Sequence, residues 1–127
     1  MATATLSTTQ RITPEQFLEL PDQEKYELVN GELVEMPVMS LEGAAIGNRL
    51  GAQLQAFVDA AELGVVFNSE ATYQCFSDDP GRIRKPDLSF IRRGRLPADQ
   101  YEHGHCRIAP DLAVQIVSPH DVMFDVE

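Results

Sequence analysis

The sequence is short of basic residues, of cysteines and of long apolar runs, and each shortage removes a class of function. Ten Lys and Arg stand against twenty Asp and Glu, a formal net charge of −10, so no general attraction to polyanions follows from the whole-chain field. The two cysteines, Cys75 and Cys106, show neither metal-ligand spacing nor a disulfide framework, and read as reduced thiols of a cytoplasmic protein. No apolar run approaches the ~18 residues that a membrane span requires. The opening residues are rich in Ala and Thr but lack the basic start and apolar core of a signal peptide, and residues 1–12 read as a disordered leader. Repeats and low-complexity segments are absent too. What remains is ordinary for a globular protein: 127 residues, 43% hydrophobic and 24% charged, enough for one domain with a modest core over 13–127.

Local signals divide the chain into short elements. Thr13, Pro14 and Gln16 stand where an N-cap, a first helical residue and the return arm of a capping box belong, ahead of Phe17, Leu18 and Leu20; Pro21 stops that helix. Tyr26–Val29 and Glu32–Met36 flank Asn30-Gly31, the dipeptide that best accepts the two positive φ angles of a type I′ hairpin turn. Ser40 caps a longer helix, with Ile46, Leu50, Leu54, Phe57, Val58 and Ala61 at helical spacing and Gly64 as its stop. A long strand is expected over Val65–Phe76, a turn over Ser77–Gly81, a returning strand over Arg82–Ile91, a loop over Arg92–Pro110, and a last strand over Asp111–Val117. The pattern predicts an α/β or α+β domain, a mixed sheet with a long helix against it. The most apolar strand comes last, and nothing following it is long enough to cover it.

Two strands carry a hydrophilic residue that a purely structural strand would not select. One is Asp87, directly after Pro86; the other is Gln115, set among Ala113, Val114, Ile116 and Val117. A buried polar group costs free energy unless it is paired, so two such positions on neighbouring strands suggest a site. Around Asp87, six of the ten basic residues (Arg82, Arg84, Lys85, Arg92, Arg93 and Arg95) fall within fourteen positions. They are either phosphate contacts or a solvated face balancing an acidic protein.

The ordered set Tyr26–Leu33, Ser40 opening a helix, Arg84-Lys85-Pro86-Asp87-Leu88-Ser89-Phe90 and Pro110–Pro119 resembles the Uma-type restriction endonuclease family, a branch of the PD-(D/E)xK nucleases. The resemblance covers residues ~13 to 127. It implies a restriction-endonuclease-like fold, a magnesium ion, a DNA substrate and Asp87 as a metal ligand. Position 115 matches the family's glutamate, but the residue is Gln115. The family's lysine follows the Ser-Pro motif, and no lysine occurs between that motif and Glu127, so the domain is expected to be incomplete at its C-terminal end. Gly43 stands where the family usually has histidine. Magnesium prefers carboxylate oxygens, and a neutral amide in place of a carboxylate weakens such a site. The resemblance therefore implies either a magnesium-dependent endonuclease impaired at Gln115 or a non-catalytic binding or assembly module that kept the fold. An uncovered apolar strand also favours a homo-oligomer.

Other residues carry two readings each. Asp87 is a strand-end residue making local hydrogen bonds or a metal ligand; Gln115 is a hydrogen-bonded amide or a vestigial ligand. Glu70 is a solvated strand carboxylate or a third metal contact, and Glu32 is an exposed hairpin residue or an accessory carboxylate. His103, His105 and Cys106 form a thin zinc set with no second ligand pair. Ser118, His120 and Asp121 are hydrolase residue types without triad geometry, and the Ser-Pro reads as a strand terminator.

Overall fold

The computed structural model describes residues 11–117, which form two compact units. The first contains residues 11–36, 72–85 and 98–109, and the second contains residues 37–71, 86–97 and 110–117. Ser118, His120 and Asp121 lie outside the described residues. Both sheets are antiparallel and the class is α+β.

In the first unit, helix α1 (Pro14–Leu18) opens with the expected capping box: Gln16 N–H donates to Thr13 Oγ1 at 3.1 Å, and Thr13 N–H donates to Gln16 Oε1 at 3.0 Å. A short 3₁₀ turn (Gln23–Lys25) leads into strands β1 (Tyr26–Val29) and β2 (Glu32–Glu35), joined through Asn30 and Gly31 at φ 54° and 79°. On the far side of β1, Ile83 exchanges two backbone hydrogen bonds with Leu28, at 2.7 and 3.1 Å. Ile12, Phe17, Tyr26, Leu28 and Ile83 form the buried core, with Leu20 and Leu33 packed against it. Tyr73 is also buried; it pairs with Arg84 on one side and bridges to Cys106 on the other. Helix α3 (Ala98–Glu102) is a single short segment.

The second unit packs helix α2 (Leu41–Ala61) against the sheet β3 (Gly64–Phe67), β4 (Leu88–Arg92) and β5 (Leu112–Val114), in the order β3-β4-β5. Ser40 Oγ accepts from Gly43 N–H at 3.0 Å, the expected cap. At the other end the helix is stopped by Glu62, not by Gly64. Glu62 adopts the left-handed conformation (φ 53°), and Leu63 N–H reaches back to the Val58 carbonyl at 3.0 Å. Gly64 is needed for another reason: a Cβ there would stand 2.1 Å from the Ile91 carbonyl oxygen.

The buried face of α2 also departs from its apolar stripe. Val58 is buried, but Ile46, Leu50 and Phe57 remain 46%, 37% and 65% exposed. The contact face is built partly from glycine: a Cβ on Gly47 would come within 2.9 Å of Ile116 Cδ1, and one on Gly51 within 3.3 Å of Leu88 Cδ2. Those glycines let the helix lie close to the sheet, which turns the larger residues to one flank.

The long strand expected over Val65–Phe76 is broken. β3 ends at Phe67, and Asn68 then makes a turn in which its Oδ1 accepts from Glu70 N–H at 3.0 Å. The returning strand is interrupted as well, because Pro86 supplies no N–H to a ladder. Ile83 and Arg84 pair in the first unit, and β4 begins only at Leu88.

Candidate functional site

β4 and β5 are each preceded by the same tripeptide, Pro86-Asp87-Leu88 and Pro110-Asp111-Leu112. The two copies make the same hydrogen bonds. Asp87 N–H donates to the Val114 carbonyl at 3.0 Å, and Asp111 N–H donates to the Phe90 carbonyl at 2.8 Å. Asp87 Oδ2 accepts from Ile116 N–H at 2.7 Å, and Asp111 Oδ2 accepts from Arg92 N–H at 2.7 Å. Each aspartate thus locks an amide at or just past the end of the opposite strand, at opposite ends of one antiparallel pair. Pro explains the start of each strand, and the short carboxylate arm reaches across where the backbone ladder runs out.

The two ends differ electrically. Asp111 Oδ2 is also 2.8 Å from Arg95 Nη1. The Arg92 amide first, and then the Arg95 guanidinium, hold its carboxyl below the usual range. Among the described residues no cation pairs with Asp87. Its carboxylate has about four lone-pair positions and Ile116 takes one, so capacity for a cation remains.

Gln115 lies just past β5. Continuing the Leu88↔Val114 register by one residue sets it opposite Asp87, on the same strand pair. It is exposed, not the buried amide that its apolar neighbours suggested. Glu70 is exposed in the turn after β3 rather than on a strand, and Glu32 is exposed at the start of β2. Among the described residues no three His, Cys, Asp or Glu side chains gather as a metal cluster. The donors at the Asp87 end are one carboxylate and one neutral amide oxygen. That set suits a single loosely held divalent cation completed by water, and falls short of the two carboxylates of a tight magnesium site.

The basic cluster divides. Arg84 Nε lies 3.0 Å from Glu27 Oε1, and Lys85 is buried, with its N–H on Glu27 Oε2 at 2.8 Å and its ammonium donating to the Gln23 carbonyl at 3.3 Å. Arg82 stacks over Phe76, 5.2 Å from the ring centre. These three serve the first unit. Arg92 and Arg93 are exposed in the second, where Arg93 Nη1 is 3.7 Å from Glu62. Glu27, which organises Arg84 and Lys85, was signalled only as a carboxylate between the inward-facing Tyr26 and Leu28.

His105 is buried with both ring nitrogens engaged, one on Thr72 Oγ1 and the other on the Pro14 carbonyl, each at 2.8 Å. A carbonyl can only accept, so Nε2 carries hydrogen and the Thr72 hydroxyl donates to Nδ1 of the neutral ring. Burial is the main cause of its lowered pKa. With no lone pair free, His105 is a structural bridge and not a zinc ligand; His103 is exposed on a separate turn. The Cys75 thiol is pushed up by burial, with the Cys106 thiol adding to the shift.

Residues 14–127 match the model of the Uma2 family, described as "Putative restriction endonuclease". No curated protein matches the sequence. A solved structure, titled a "putative nuclease belonging to DUF820" from Anabaena variabilis, is similar with a TM-score of 0.69 and 24% sequence identity. The match covers 91% of this chain and 63% of that one, and it supports a shared fold.

Proposed function

Because the chain belongs to the Uma2 family, we propose that it acts on the phosphodiester backbone of DNA, with a divalent cation held weakly at Asp87. The observation that carries this reading is the contrast between two equivalent aspartates. Arg95 pairs with Asp111, whereas among the described residues no cation pairs with Asp87. The Ile116 amide would hold the carboxylate in one orientation, and Gln115 would offer a neutral oxygen from the facing strand. Magnesium, when bound, would lower the pKa of a coordinated water and offset charge developing on the phosphate. With Gln115 in place of a carboxylate, metal affinity and turnover are low.

Plasmid nicking with magnesium or manganese tests this, alongside calorimetric metal titration of the same proteins. Gln115→Glu adds the second carboxylate and is expected to tighten metal binding at least about tenfold and to raise nicking. Asp87→Asn keeps an acceptor for the Ile116 amide but removes the charge, and should abolish both. Metal-dependent nicking that survives Asp87→Asn refutes the assignment.

A second reading is favoured by Gln115, a neutral amide at the position that matches the family's glutamate: a binding or assembly module that keeps the fold without hydrolysis. Among the described residues β5 ends its sheet and Leu112 is exposed, which suits pairing with a second copy. A defined oligomer in sedimentation that binds no divalent metal would support this module. Cys75 and Cys106 are free thiols, in keeping with a cytoplasmic setting. Among the described residues no helix is long and apolar enough to cross a membrane.

A further inference from the structure

We propose that the turn Arg92-Arg93-Gly94-Arg95, at the end of β4 remote from Asp87, is a phosphate-binding element that holds the backbone of duplex DNA. The inference rests on the DNA reading above and adds where the duplex is gripped. Three arginines in four residues would normally repel one another and fray. Here the turn is fastened from two sides. Asp111 accepts the Arg92 N–H at 2.7 Å and the Arg95 guanidinium at 2.8 Å. From the other side, the Leu63 carbonyl accepts Arg93 N–H at 2.8 Å, and Arg95 N–H closes the turn on the Arg92 carbonyl at 3.2 Å. Gly94 takes φ +89°, and a Cβ there would meet nothing within 4 Å, so the tip of the turn is sterically open.

The fastening leaves donors to spare. A guanidinium has five N–H groups, and Asp111 engages only Nη1 of Arg95. The Arg92 side chain is exposed, and among the described residues the Arg93 guanidinium is engaged only by the long, solvent-exposed pair with Glu62 at 3.7 Å. Arginine forks match the paired oxygens of a phosphate, and a fixed turn presents them at little entropic cost. Five strand residues at roughly 3.3 Å each separate Asp87 from Arg92, about 17 Å, so the turn would grip the duplex at a point distinct from the Asp87 end.

The test is fluorescence anisotropy of the full chain with a labelled 20-base-pair duplex, in chelator and without divalent metal, from low to moderate salt. Arg92→Ala and Arg93→Ala should each weaken binding several-fold and flatten the slope of log affinity against log salt by about 0.9, the loss of one phosphate contact. Glu62→Gln, which releases Arg93, should tighten binding. Arg49→Ala, an exposed arginine on α2, serves as the charge-matched control and should have a smaller effect on affinity and slope. Circular dichroism melting confirms that each variant is folded. If the unmodified chain binds but Arg92→Ala and Arg93→Ala behave like Arg49→Ala, the turn is not the phosphate site and the DNA reading stands. If the unmodified chain does not bind the duplex even at low salt, both fall.

Discussion

Gly64→Ala should be among the most destabilising single-methyl additions in the chain. A Cβ at Gly64 would sit 2.1 Å from the Ile91 carbonyl oxygen, 2.9 Å from Arg93 N and 3.0 Å from Arg92 Cα. All three are backbone atoms, so no side-chain rotation relieves the overlap. The Gly64 φ of 158° adds strain for an L-residue. Relief requires β3 to draw away from β4 at the Gly64↔Arg92 pair, which also endangers the Arg93 N–H to Leu63 bond. Overpacking ordinarily costs about 1–3 kcal/mol, and with backbone on both sides the upper end, about 3 kcal/mol, is expected. Against a total stability on the order of 5–15 kcal/mol that is a large fraction. In urea, with a slope of about 1.5 kcal/mol/M, the midpoint should fall by roughly 2 M. The control is Gly94→Ala, where φ is +89° but a Cβ meets nothing within 4 Å, leaving only conformational strain of about 1–2 kcal/mol. If the two substitutions cost the same, the close approach of β3 to β4 is not what Gly64 permits, and the reasoning fails.

Glu62→Gly relieves a left-handed residue at the end of α2 and should stabilise the protein by about 0.5–1 kcal/mol in the same urea assay. His105 is neutral in the folded state with its pKa lowered by burial, so the unfolded chain binds the extra proton first as pH falls. Its contribution is full above the ordinary value of 6.5 and declines below it; His105→Gln should flatten the fall of the urea midpoint as pH drops below about 6.5. The Asp111 carboxyl is also lowered, and its contribution is present above the ordinary 3.8 and lost as pH falls through its folded value. Asp111→Asn should therefore remove part of the acid sensitivity below about pH 4, without changing the His105 window.

Where a residue dictates its own backbone, the structure was legible in the sequence. Thr13 and Gln16 close the capping box, Asn30 and Gly31 take the hairpin angles, and Ser40 starts α2. The helix face was harder to read because periodicity registers large apolar side chains, whereas Gly47 and Gly51 contribute by their lack of one. Their spacing of four residues was a readable signal, and it explains why Phe57 is left exposed. The strand expected through Glu70 was lost to Asn68, whose side chain competes for the backbone as a turn former. The strand pair that carries the proposed site was legible only in part. Asp87 and Gln115 do fall opposite each other when the strand register is continued, but spacing along the chain could not tell which arginines face inward. That depended on Glu27, distant in sequence from Arg84 and Lys85.

The paired aspartates bear on how an inactive descendant of a nuclease would be recognised. Asp87 holds two strands together through Ile116 whether or not a metal is ever present, just as Asp111 does through Arg92. A lineage that abandoned hydrolysis would still lose stability by replacing it, so the Pro-Asp pair would outlast the chemistry. Gln115, which faces it, is exposed and ties down no strand amide among the described residues, so that position can drift once cleavage is no longer selected. Position 115, rather than position 87, is therefore the place where working and retired copies of this fold should part.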